Sequence, residues 1–208
     1  MTTPVVAVGD VHGCFALLIK QLERHVGSNA ELIFLGDLID RSPESQGDRN
    51  VIELVRLMQS SPADFGLSKV TVLRGNHEQL CINALTTRHV DDASLWLMNG
   101  GSTNFANYLK DHPDVLTWMD NLPYYVIRGD YLFVHAGVSP GVNINEQDPH
   151  DLLWIRRPFL QHDHKLPYTV VHGHTIQHSE TPVYGDKRIS IDLGAFATGN
   201  LCTLPLQI

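Results

Sequence analysis

Histidines and carboxylates in this sequence stand where short apolar runs end. Asp10 and His12 follow the run 4–8, Asp37 and Asp40 the run 32–35, and Asn76 and His77 the run 70–73. His135 follows 131–134, and His174 follows 168–171. The set mixes imidazole nitrogen with carboxylate and amide oxygen and holds no cysteine. That donor mixture suits manganese, iron, zinc or cobalt better than an all-oxygen calcium cage. A carboxylate can bridge two metal ions, and Asp37 is the candidate for it. Arg41 belongs to the same group. Glycines at positions 9, 13, 36, 75, 137 and 173 adjoin these residues and permit the turns and close backbone approach needed to gather them. Any one pair is weak evidence, but so many in one chain of 208 residues mark a site.

The apolar runs that carry these motifs have the length and composition of strands, and so does 189–191, which leads into Asp192. Between the early runs lie helical patterns: Phe15, Leu18, Ile19, Leu22 and Val26, then Val51, Leu54, Val55 and Met58. The order βαβαβ predicts an α/β fold with a largely parallel sheet under helices. From about residue 124 the strands lie close together, as hairpins would. The stretch 139–149 reads as a loop within the domain, and 89–122 reads as helical without clear boundaries. In such folds ligands gather at the carboxyl ends of strands, which is where the polar motifs fall.

The bulk numbers agree with a single globular domain, residues 1–208. Hydrophobic residues make up 43% of the chain, enough for a sizeable core. The formal net charge is −8, which favours neither a nucleic-acid partner nor a membrane surface. An acidic chain that binds an anion must build its own positive patch, and metal ions do this. Cys14, Cys81 and Cys202 are widely spaced and form no CxxC pair, so free thiols in a reducing, cytoplasmic setting are expected. The N-terminal residues do not resemble a signal peptide, and no run approaches the ~20 apolar residues of a membrane span.

Five segments together resemble the signature of the phosphoprotein phosphatase family of metallophosphoesterases, in particular its small bacterial and phage-type members. They are Gly9-Asp10-Val11-His12-Gly13, Gly36-Asp37-Leu38-Ile39-Asp40-Arg41, Gly75-Asn76-His77-Glu78, His135-Ala136-Gly137 and Gly173-His174-Thr175. Residues 74–80 and 96–101 add to the phage-type likeness, and the resemblance runs from about residue 5 to 205. One departure is visible: the second motif usually ends Asp-Arg-Gly, and here Ser42 follows Arg41.

The resemblance implies a β-sandwich of mixed sheets flanked by helices, with the active site at the carboxyl ends of the strands. It implies two divalent ions, most simply manganese, with iron, zinc or cobalt as alternatives. Asp10 and His12 would bind the first ion, Asp37 would bridge, and Asn76, His135 and His174 would complete the second. His77 would be the general acid, oriented by Asp40. Arg41 and Arg156 would bind phosphate, with Arg74 as a lesser helper. The implied reaction is hydrolysis of phosphoserine, phosphothreonine or phosphotyrosine in protein substrates by direct attack of a metal-bound hydroxide. A sister group with similar motifs hydrolyses symmetrical diadenosine tetraphosphate. Its members tend to carry Asp after Gly-Asn-His, so Glu78 favours the protein phosphatase.

Blander roles are expected elsewhere. Glu78 reads as a loop stabiliser, His162-Asp163-His164 as a solvated loop, and Trp96 and Trp118 as core. His172 is set aside in favour of His174, and Asp192 is a partner of a ligand or a turn residue. Six positions after Cys14 stands Lys20, not the Arg of a cysteine phosphatase, and no Gly-x-Ser-x-Gly elbow or Walker loop occurs.

Overall fold

Alternation along β1 (Pro4–Val8) sorts its side chains onto two faces: Val5 and Ala7 pack one way, Val6 and Val8 the other. All four are buried, which requires cover on both sides. A computed structural model of the chain describes residues 4–87 and 89–208 and shows what supplies that cover.

The first sheet has the order β3-β2-β1-β9, with β2 (Glu31–Phe34), β3 (Lys69–Val72) and β9 (Thr203–Gln207). β1, β2 and β3 are parallel, and β9 runs antiparallel on β1. The second sheet has the order β4-β5-β6-β8-β7. Its strands are β4 (Tyr125–Arg128), β5 (Tyr131–Val134), β6 (Thr169–His172), β7 (Val183–Gly185) and β8 (Arg188–Ser190). β5, β6 and β8 are parallel, while β4–β5 and β7–β8 pair antiparallel at the two edges. The expected hairpins are these edge pairs.

Val5, Ala7, Ile33 and Leu35 from one sheet meet Phe133, Val171, Ile189 and Ile191 from the other, forming the sandwich core. The outer face of the first sheet is covered by α1 (Phe15–Leu22), α2 (Gly47–Ser60) and α3 (Asn76–Thr86), with α4 (Val90–Met98), α5 (Thr103–Asp111) and α6 (Pro113–Asp120) beyond. These last three resolve the helical stretch that the sequence left without boundaries. Leu132, Val134 and Val170 on the outer face of the second sheet pack under α7 (Pro149–Trp154) and α8 (Arg157–Gln161), against Leu152, Ile155 and Phe159. A four-residue helix, α9 (Ala195–Thr198), precedes β9. The stretch 139–149 is a loop holding one 3-10 turn, Ile144–Glu146.

Two expectations change. Val26 does not extend α1, which ends at Leu22; Gly27 and Asn29 donate backbone hydrogen bonds to Phe65 and Gly66, and this pulls the chain off the helix path. The segment 162–164 is not wholly solvated. Asp163 is exposed on Lys165, but His164 is fully buried, with Nε2 at the Lys187 carbonyl and Nδ1 accepting from the Leu166 N–H.

Candidate metal centre

The motif residues converge where β1, β2, β3, β5 and β6 end. Backbone bonds bring the first two motifs together: the N–H groups of Val11 and His12 both donate to the Asp37 carbonyl, and that of Gly13 to Leu38. The third motif is tied in by Glu78. Its buried carboxylate accepts from the N–H of Asp37 at 2.9 Å, Leu38 at 2.8 Å and Gly75 at 2.9 Å, so it is the loop stabiliser its position suggested. The last of these bonds also caps the start of α3.

The backbone here is strained. Among the described residues, eight other than glycine have positive φ, and five of them belong to the site: His12 (48°), Asp37 (50°), Asp40 (69°), Arg41 (58°) and His174 (63°). Such conformations are costly and persist where the surroundings enforce them, typically at functional sites. Ser42 itself needs no such angle. Its hydroxyl donates toward Gly13 O and accepts from the Glu44 N–H, so the turn forms without the usual glycine.

Each imidazole is aimed by a second contact. Nδ1 of His12 faces the Ile39 carbonyl at 2.9 Å, and Nδ1 of His135 faces Leu35 O at 3.0 Å. Their Nε2 atoms therefore point inward, a common arrangement for metal-binding histidines. Oδ2 of Asp37 lies 3.5 Å from Nε2 of His135 and 3.7 Å from Nε2 of His12, while Oδ1 holds the N–H of His77. Two groups of donors have metal-binding spacing, His12-Asp37-His77 and Asp37-His135-His174, and Asp37 is common to both. Asn76 Oδ1 sits 2.8 Å from His135 Nε2 and 2.9 Å from His174 Nδ1. Asp10 lies beside these groups: Oδ2 accepts the N–H of His174 at 3.0 Å, and Oδ1 is buried without a partner, as is Nε2 of His174.

The protonation balance points the same way. Burial, Asp192 and Asp37 hold Asp10 well above the carboxylate range, and burial lifts Asp37 to about 6 and Glu78 to about 7. Burial pushes His135 down to about 4 and His174 to about 2. Carboxylates that resist ionising and imidazoles that stay neutral, some with orphaned ligand atoms, fit a place where divalent cations complete the charge.

Nδ1 of His77 stands 2.7 Å from Oδ2 of Asp40, and both are buried, so the predicted pair is assembled. Arg41 is half-buried. Its guanidinium lies 3.3 Å from Nε2 of His12 and over the Phe196 ring at 5.2 Å. Exposed Arg156 reaches the His174 carbonyl and Thr175 Oγ1. Asp192 accepts the Gly194 N–H, a turn contact, and adds negative charge around Asp10. His172 is buried with Nδ1 on Gly173 O. Arg74 is a correction: its guanidinium is turned to Gln79, Tyr124 and Asp120, stapling the end of β3 to the end of α6 and the loop before β4. Phe196 carried no motif signal in the sequence; Trp96 opens the phage-type segment 96–101, but its contact to Asp40 was not legible there.

A metallophosphoesterase is the class that this fold and donor set define. The profile of the calcineurin-like phosphoesterases matches residues 3–199, and the chain belongs to that family. Serine/threonine-protein phosphatase 1 of Salmonella typhimurium is 41% identical over 107 residues, covering 50% of this chain and 42% of that protein. A symmetrical bis(5'-nucleosyl)-tetraphosphatase of Methylococcus capsulatus is 30% identical over 147 residues, covering 67% of this chain and 45% of that protein. In both cases less than half of the relative's length is matched. The crystal structure of a cold-active protein-tyrosine phosphatase from a psychrophilic Shewanella superposes with TM-score 0.65 at 18% identity, over 100% of this chain and 76% of that one, a likeness of fold.

Proposed function

We propose that the protein is a dinuclear-metal phosphomonoesterase acting on phosphorylated serine, threonine or tyrosine in polypeptides. The observation that carries the reading is the position of Asp37 Oδ2 between the Nε2 atoms of His12 and His135, next to the His77–Asp40 pair. Asp10, His12 and Asp37 would hold one ion, and Asp37, Asn76, His135 and His174 the other. When bound, two such ions, most simply manganese, supply a water-derived nucleophile at neutral pH and positive charge on the phosphate.

The chain's own groups do the rest. Arg41 and Arg156 flank the cluster and bind phosphate oxygens, favouring the charge that develops in the transition state. His77 gives its Nε2 proton to the departing alkoxide while Asp40 keeps the imidazole oriented through Nδ1. His77 also falls within ligand distance of Asp37, but its Nδ1 is committed to Asp40, which favours the acid role.

Support for a polypeptide substrate comes from α4. Leu95, Leu97 and Met98 are exposed directly before Asn99 and Gly100, whose carbonyls hold Arg41. Apolar side chains next to a phosphate-binding arginine suit the residues flanking a phosphorylated side chain. The buried free thiols of Cys14, Cys81 and Cys202 suit a cytoplasmic setting. The second reading, a symmetrical diadenosine tetraphosphatase, draws on the Methylococcus relative. One panel separates them: manganese-loaded protein assayed on phosphoserine, phosphothreonine and phosphotyrosine peptides and on diadenosine tetraphosphate. Higher kcat/KM on a phosphopeptide is expected; preference for the dinucleotide overturns the polypeptide assignment.

A further inference from the structure

Residues 96–101 run past both Asp40 and Arg41. The indole Nε1 of Trp96 donates to both carboxylate oxygens of Asp40 at 2.9 Å, and both side chains are buried. Oδ2 of that carboxylate is the oxygen that faces His77. Three residues on, the Asn99 carbonyl accepts from Nε of Arg41 at 3.2 Å and the Gly100 carbonyl from its backbone N–H at 3.0 Å. The segment has no slack. A Cβ on Gly100 would stand 2.7 Å from Cγ of Arg41, and one on Gly101 would meet the Trp96 ring at 2.5 Å.

Burial alone would make Trp96 a core residue, as the sequence suggests, but a core ring needs no N–H. A carboxylate held by one donor keeps broad freedom about χ2. A second donor spanning both oxygens fixes the carboxylate plane, and with it the direction from which His77 is held.

We propose that Trp96 is a positioning residue for phosphoester hydrolysis, fixing Asp40 so that His77 presents its Nε2 proton to the leaving oxygen, while the Asn99-Gly100 turn sets Arg41 for the phosphate. This rests on the reading of His77 as the general acid. In that step water loses one proton to solvent and its oxygen bonds to phosphorus, the ester P–O bond breaks, the alkoxide takes the Nε2 proton, and solvent returns a proton to Nε2 for the next turnover. The imidazole keeps its Nδ1 proton on Asp40.

The test compares Trp96→Phe, which keeps a ring and removes the donor, with His77→Asn and wild type at matched metal content. Substrates are a phosphoserine peptide and 4-nitrophenyl phosphate, whose leaving group needs little protonation. For Trp96→Phe, kcat on the peptide should fall about tenfold, a part of the ~10²–10⁴ that general acid catalysis supplies, with KM and aryl phosphate turnover nearly unchanged. The downfield proton resonance of His77 Nδ1–H should shift or broaden in metal-free protein. Equal losses on both substrates, or an unmoved resonance, overturn the positioning role. If His77→Asn itself shows no peptide-to-aryl contrast, the general-acid reading fails instead and takes this proposal with it. Should Trp96→Phe not fold, Gly101→Ala displaces the indole while keeping its N–H, and the same contrast is required of it.

Discussion

Gly173 stands where any Cβ would come within 2.0 Å of Oδ1 of Asp10, although the two follow strands of different sheets and lie far apart in the sequence. The same oxygen is buried without a hydrogen-bond partner, and the other accepts the N–H of His174. Asp10 is thus pressed against the turn that carries a second candidate ligand. A Gly173→Ala substitution forces that carboxylate aside and should weaken divalent metal binding by ~10–100-fold, the usual cost of disturbing the supports of a metal site. Titration of metal-free protein with manganese measures this. Unchanged affinity would mean that Asp10 is not a ligand.

Arg156 is exposed, and among the described residues its guanidinium hydrogen-bonds to the His174 carbonyl and Thr175 Oγ1, so removing that side chain should leave the fold and the metals intact. Arg156→Ala should lower kcat/KM by ~10²–10³-fold, the scale of one lost preorganised donor to a transition-state oxyanion. Steady-state kinetics at saturating metal decides it. Unchanged kinetics would free Arg156 from phosphate binding.

Metal binding should be pH-dependent with a sign set by carboxylates. Without metal, burial raises Asp37 from 3.8 to about 6, whereas burial has already lowered His135 to about 4 and His174 to about 2. At pH 5 these two imidazoles have no proton to give up, whereas Asp37 still does. A carboxyl with a raised folded pKa contributes stability that is fully present below its unfolded value and is lost as pH rises through about 6. A cation replaces that proton. The rise in Tm on adding manganese should therefore grow between about pH 5 and pH 7.5, as differential scanning fluorimetry can follow. A constant or shrinking rise would contradict this.

At the far end of the strands, Arg128 grips Glu31 with two hydrogen bonds of 2.8 Å, joining the second sheet to the first. Burial pushes Glu31 up, but Arg128 and Thr71 outweigh it and hold it below its usual value. Arg128→Ala should cost about 1–3 kcal/mol at neutral pH by leaving a buried carboxylate short of its charged partner. A depressed carboxylate pKa gives stability that is present above the unfolded value of 4.5 and lost as pH falls through the folded one, so the deficit should shrink under acid. Urea unfolding at several pH values reads this directly. Turnover should be unaffected, and a fall in kcat would tie this ion pair to the site.

Much of the site was legible because each motif is contiguous and ends an apolar run: Asp10 and His12 after β1, Asp37 to Arg41 after β2, Asn76 and His77 after β3. The parallel order brought those ends together, so strand periodicity and motif position gave one answer. Contacts between distant segments left no such trace. Trp96 meets Asp40 across 56 residues, and Phe196 lies under Arg41 from near the end of the chain. Arg74 misled for the same reason, since its neighbours in sequence belong to the site while its guanidinium turns to Asp120 and Tyr124. The end of α1 was set by hydrogen bonds to the 65–66 backbone, which apolar spacing does not encode.

The most direct measurement is metal content set against hydrolysis of 4-nitrophenyl phosphate in wild type and Asp37→Asn. Chelator-treated wild type should be inactive, regain activity with manganese, and reach two ions per chain by elemental analysis. Asp37→Asn should lose metal from both positions, because Oδ2 of Asp37 faces His12 and His135 alike. Full activity in protein verified to be metal-free, or two ions and normal turnover in Asp37→Asn, would contradict a dinuclear centre bridged by this residue.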